Sequence, residues 1–294
     1  MRHLLALIAF AALSLGLVAT AYAGCGKFAE KLGGGKCDLS GKDLRDLKLS
    51  RGDDLSGANL RGANLRGARL EGAKFDGANL ENADLREAKL RGASLERANL
   101  RGAQLEKAEL READLERADL RDVKAQRVDF QRAKLMQANL RGARIARADF
   151  REANLNRANL KDARGDQVNF KGAKLGQANL RDARLEQANF RDARMERVVL
   201  RDARLNRANL RDARFERAEA RGVHLERANM RGARAANSEL RDARIADLDV
   251  DGADLERINL KDARGEPKGK ARSWRGATCP DGKQVDDCAG HFER

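Results

Sequence analysis

A period of five runs through this chain and leaves few folds open to it. From Leu55 to Leu260 every fifth residue is Leu, Phe, Ile, Met or Val in 38 of 42 cases, and Ala stands two residues earlier in 33 of 42. Ala58-Asn59-Leu60, Ala98-Asn99-Leu100, Ala178-Asn179-Leu180 and Ala208-Asn209-Leu210 are examples. The phase never slips over that span, and a shorter run through Leu39, Leu44 and Leu49 precedes it one residue out of register. An α-helix turns about 100° per residue, so this period carries each Leu roughly 140° from the last and builds no apolar face. In an extended segment residues two apart share a face, so Ala and Leu point one way and their neighbours the other. Each unit is therefore expected to be a short strand and a turn. Such a unit cannot bury its own Leu, so successive turns must stack and join their backbone amides between coils.

This A(D/N)Lxx unit resembles the pentapeptide-repeat family over residues 37–264. The resemblance implies an all-β fold, a right-handed quadrilateral β-helix with four pentapeptides and twenty residues in each coil. About eleven coils would make a rod of roughly 50 to 55 Å, with ladders of Leu or Phe and of Ala along its core.

Four central positions are small: Ala125, Gly165, Ala220 and Ala235. Losing a buried Leu to Ala costs about 2 to 5 kcal/mol, so uncompensated gaps would weaken the rod. Val123 and Val128, Val168 and Val223 stand at nearby alanine positions and are expected to restore the volume. Ala235, followed by Ser238, has no such filler, and a local weak point is expected there.

The outward residues carry a second pattern. At the implied spacing of twenty, Lys124, Arg144, Arg164, Arg184, Arg204, Arg244 and Arg264 fall on one face, interrupted by His224. Lys134, Lys174, Arg194, Arg214 and Arg234 fall on the opposite face, interrupted by Asn154. Arg181, Arg201, Arg221 and Arg241 form a further column, with Asp182, Asp202 and Asp242 beside it. Asn139, Asn159, Asn179 and Asn209 are expected to form a ladder of side-chain amides. Lys and Arg outnumber Asp and Glu by 60 to 46, and residues 121–240 hold 29 basic against 16 acidic side chains. Two readings stay open: a self-neutralising solvated surface, or an anion-binding one using Arg144, Arg164, Arg184, Arg204 and Arg244 with Arg194, Arg214 and Arg234. Partners that fit the second are an anionic polymer (nucleic acid, lipopolysaccharide or acidic polysaccharide), an envelope protein, or a second copy in a homodimer.

Both ends are distinct from the repeats. Arg2 and His3, an apolar stretch from Leu4 to Val18 and then Ala21-Tyr22-Ala23 read as a signal peptide over residues 1–23. Export to the periplasm or the extracellular space is expected. Ala23-Gly24-Cys25 also has the ending of a lipobox, with Tyr22 in place of the usual Leu, so a lipid anchor on Cys25 stays open. Residues 24–36 and 265–294 are expected to plug the two ends, which would otherwise expose core and strand edge. In an oxidising compartment the simplest pairing of the four cysteines is Cys25 with Cys37 and Cys279 with Cys288. Trp274 is expected on the last Leu column.

Catalysis finds no candidate residues. His3, His224 and His291 have no nucleophile or metal partner at readable spacing, the cysteine pairs lack C-x-x-C spacing, and no phosphate-binding glycine loop occurs. No metal or cofactor is expected. Arg51-Gly52-Asp53 and Arg164-Gly165-Asp166 spell an integrin-ligand tripeptide, which chance explains in a chain this rich in those residues. Some cytoplasmic members of the resembled family mimic DNA and protect gyrase with an acidic rod. This chain differs in charge sign and in expected compartment.

Overall fold

The computed structural model describes residues 37–288 and 290–292; the signal-peptide reading, the N-terminal plug and Cys25 lie outside them. The chain winds as a right-handed quadrilateral β-helix. Each pentapeptide contributes one bridging residue, not a multi-residue strand, followed by a two-residue turn. Bridges are parallel and join residues twenty apart from Asp54↔Lys74 through Arg244↔Arg264, so four units close one coil.

Backbone accounting explains the repeat. In the unit around Leu60, the Leu60 amide donates to Asn79 O (2.7 Å), Gly62 to Glu81 O (2.8 Å) and Ala63 to Leu60 O (3.0 Å). Asn59 donates back to Cys37 O (2.7 Å). The amide left over, that of Arg61, donates to Asn59 Oδ1 at 3.3 Å. An Asn or Asp before the Leu thus satisfies the one amide that stacking does not reach, which gives A(D/N)L its polar member.

The turn requires a positive φ at its third residue, as in a type II turn. Glycine holds that position at Gly57, Gly62, Gly67, Gly72 and Gly77, but later coils place Asn82, Glu87, Arg97 and most of their successors there at φ near 60°. A left-handed L-residue costs about 1–2 kcal/mol. Each such residue still bonds to the next coil, as Asn82 does to Arg101 O at 2.9 Å.

Leu60, Leu80, Leu100 and their equivalents are fully buried together with the Ala ladder. One central column carries Phe130, Phe150, Phe170 and Phe190, whose rings stack at 4.9, 5.0 and 4.9 Å. These separations measure the rise per coil. Gly165 lies one coil above Ile145, where a Cβ would stand 2.8 Å from both Ile145 Cγ1 and Val168 Cγ2. The expected compensation is therefore present: valine and isoleucine already occupy the space. At Ala235, the expected weak point, a polar side chain stands nearby. Ser238 is buried, and its hydroxyl donates to Phe215 O (2.8 Å) and accepts from Ala218 N (3.0 Å), so a polar bridge joins the coils beside the missing Leu.

Near the N-terminal end the offset is twenty-one, as in Asp38↔Asn59, which absorbs the extra residue before Leu55. Near the C-terminal end it becomes nineteen, in Asp249↔Lys268, Asp254↔Ser273 and Asn259↔Thr278. The ladders therefore continue into the segment expected as a plug. Leu255 donates to Ser273 O, which places Trp274 above the Leu255 column as the sequence suggested. Beyond it, β1 (Ala277–Thr278) and β2 (Gln284–Val285) form an antiparallel hairpin. A disulfide between Cys279 and Cys288 closes this cap over the last coil. Cys37 is also disulfide-bonded; Cys25, its expected partner, lies outside the described residues.

Candidate functional site

Stacking turns the alternating outward residues into columns. Lys124, Arg144, Arg164, Arg184, Arg204, His224, Arg244 and Arg264 follow one another as a continuous ladder of bridges. Lys174, Arg194, Arg214 and Arg234 do the same on the opposite face. In the first ladder every member except His224 is exposed, as are Arg194, Arg214 and Arg234 in the second. The expected candidates are thus brought together in two groups, on separate sides of the rod.

These arginines differ from many of those at the corners. Arg181 pairs with Asp182 (3.3 Å), Arg211 with Asp212 (3.3 Å), Arg221 with Asp242 (2.8 Å) and Arg231 with Asp251 (2.8 Å). Arg86, Arg121 and Arg151 grip Asp84, Asp119 and Asp149 at 2.5–2.6 Å. The Arg86 hydrogen bond holds the Asp84 carboxyl below its ordinary range. Among the described residues no carboxylate lies within 4 Å of Arg144, Arg164, Arg184, Arg204, Arg244, Arg194, Arg214 or Arg234. Like charges one coil apart repel by about 0.9 kcal/mol in water. Burial lowers the affinity of His224 for a proton, with Arg244 and Arg204 adding to that effect against Glu226. The ladder thus lacks a charge at that rung near neutral pH.

The amide ladder is split, contrary to expectation. Asn159 donates to Asn139 Oδ1 at 3.3 Å, and Asn179 bridges Asn159 in the same column. Asn209 belongs to a different face, between Asn189 and Asn229, because ten residues are half a coil. The two Arg-Gly-Asp tripeptides also separate. In the second, Gly165 points into the core between an outward Arg164 and Asp166. No group of His, Cys, Asp and Glu able to hold a metal occurs among the described residues.

Sequence reasoning missed a shallow groove at the corner beside the first ladder, lined by Gln126, Arg127, Ala146, Arg147, Asp166, Gln167 and Gln187. It forms because Ala146 is short where neighbouring coils carry longer side chains after the central residue. Arg147 Nε donates to Gln167 Oε1 (3.2 Å), and Gln167 Nε2 to Gln187 Oε1 (3.3 Å). Gln167 and Gln187, twenty residues apart, were the available signal.

These coils define a repeat solenoid. Pentapeptide-repeat profiles match residues 54–92, 78–117, 104–142, 113–150, 208–245 and 224–262, and a pentapeptide repeat region matches 133–210. The chain belongs to the pentapeptide-repeat family. Among solved structures it is similar to HetL of the cyanobacterium Nostoc, a pentapeptide repeat protein involved in heterocyst differentiation regulation. Identity is 31%, over 85% of this chain and 94% of that one, with a TM-score of 0.34. It is also similar to QnrB1, a plasmid-mediated fluoroquinolone resistance protein, at 21% identity over 71% and 91% of the chains, TM-score 0.45. A pentapeptide repeat protein from the Arabidopsis thaliana thylakoid lumen matches at 29% identity over 40% and 71%, TM-score 0.18. No curated protein matches.

Proposed function

We propose that this protein is a non-enzymatic binding scaffold outside the cytoplasm, and that the ladder from Lys124 to Arg264 engages an anionic polymer. The observation that carries the reading is that, among the described residues, the face arginines repeat along the axis with no carboxylate within 4 Å, whereas many corner arginines, though not Arg127, Arg197, Arg207 or Arg217, pair with Asp or Glu. A polyanion laid along the rod would relieve the repulsion between rungs and release its own counterions. Disulfides at Cys37 and between Cys279 and Cys288 support an oxidising compartment, the periplasm or the extracellular space. An envelope protein with an acidic face, or a second copy offering its acidic columns, would use the same ladder.

The test is binding of inorganic polyphosphate, measured across salt concentrations. Replacing Arg184, Arg204 and Arg244 with Gln should abolish tight binding and lower the log–log salt slope by about 3, one for each lost contact, with the circular dichroism spectrum unchanged. Binding and slope equal to wild type would reject the ladder as the site and leave a self-neutralised rod as the better reading.

A further inference from the structure

We propose that the groove beside Lys124, Arg144, Arg164 and Arg184 takes a linear acidic polysaccharide carrying one carboxylate on each sugar. The proposal rests on the anion-binding reading above and narrows its ligand. Three observations select this chemistry over nucleic acid.

The first is charge spacing. The ladder offers one cation per coil, and the stacked Phe rings set the coil rise at 4.9–5.0 Å. A (1→4)-linked polyuronate presents one carboxylate per sugar, a repeat close to one coil. Duplex DNA presents one negative charge about every 1.7 Å of its axis, nearly three for each cation.

The second is what flanks the cations. Asp162, Asp182 and Asp202 run along one side of the ladder, and Asp166 and Glu186 along the other. Phosphate oxygens only accept hydrogen bonds and would be repelled by these carboxylates. Sugar hydroxyls donate, so a chain carrying both carboxylates and hydroxyls matches a column of cations flanked by columns of carboxylates.

The third is the groove wall. Gln167 and Gln187 form a ladder of amides. Amides can both donate to and accept from hydroxyls. Arg127 and Arg147 border the same groove and add cations on its far side. No aromatic side chain lies on this face among the described residues, since the Phe residues are buried in the core and Trp274 with Phe292 sits in the cap. Base stacking, the main sequence-tolerant contact of single-stranded nucleic acid, has nothing to use here.

The unbroken stretch from Lys124 to Arg204 spans five rungs, about 20 Å. Binding of oligogalacturonates of increasing length to the disulfide-intact protein, followed by calorimetry, should strengthen up to about five sugars and then level off. Gln167→Gly with Gln187→Gly suits the positive φ of both turns and should weaken the longer oligomers about tenfold. Arg194→Gln with Arg214→Gln, on the opposite face, should leave binding unchanged. Duplex DNA of equal charge should bind more weakly at the same salt. Tighter binding of the duplex, lost in the Arg184, Arg204 and Arg244 variant, would overturn the polysaccharide assignment and keep the scaffold reading. Oligomer binding that ignores both glutamines would remove the groove from the site. If neither polysaccharide, DNA nor polyphosphate binds, both readings fall.

Discussion

Restoring the repeat consensus at Gly165 should destabilise this protein. Leu is the commonest residue at the central position, and Gly165 looks like a cavity that Leu would fill. Filling a Leu-sized void would recover about 2–5 kcal/mol. The packing reverses the sign. A Cβ alone would stand 2.8 Å from Ile145 Cγ1, 2.8 Å from Val168 Cγ2 and 2.9 Å from the Ile145 carbonyl carbon. The last is backbone, fixed by the Ile145 amide bond to Arg164 O at 2.8 Å, so it cannot move without breaking the stack. Overpacking of this kind costs about 1–3 kcal/mol. Gly165→Leu should therefore lower the urea midpoint and reduce hydrogen-exchange protection of the Gly165 amide, which donates to Arg184 O. Adding Val168→Ala, which removes one of the two side-chain conflicts, should recover part of the loss. A Gly165→Leu protein more stable than wild type would refute the claim that Ile145 and Val168 already fill this site.

Ser238→Ala also restores consensus, yet it removes a buried hydroxyl bridging Phe215 O and Ala218 N, and should cost about 1 kcal/mol with the loss of protection confined to neighbouring coils. Reducing Cys279–Cys288, a separation of nine residues, should weaken the C-terminal cap by about 2.5 kcal/mol on the chain-entropy estimate. Fluorescence of the single Trp, Trp274, which packs near Phe292 at 6.2 Å, reports that opening, and an unchanged spectrum under reductant would contradict it. The same signal should respond to acid. A hydrogen bond from His291, with one from the Lys283 amide, holds the Asp281 carboxyl at about 2, below the ordinary 3.8. Its contribution is complete above pH 3.8 and is lost as pH falls towards 2, so Asp281→Asn should abolish any Trp274 transition in that window.

The sequence by itself determined the five-residue unit, its inward Ala and Leu, and the exclusion of helix, because periodicity fixes which side chains share a face. It also showed that Asn or Asp must precede Leu in many units, although the reason, capping of the amide two residues on, is visible only with the turn in place. The eight candidate arginines were legible as two columns once coils of twenty were assumed from family resemblance. What the tertiary structure decided is how units meet across coils. The offset shifts from twenty-one to twenty to nineteen along the rod, Asn209 leaves the column of Asn139, and Ile145 fills the space above Gly165. Some corner arginines find their carboxylate within the same unit, as Arg181 does with Asp182 and Arg86 with Asp84, but pairs such as Arg221 with Asp242 and Arg231 with Asp251 exist only because coils stack about twenty residues apart. A period of five makes every unit look alike; hydrogen bonds between coils, together with the volume inside them, decide which units become neighbours.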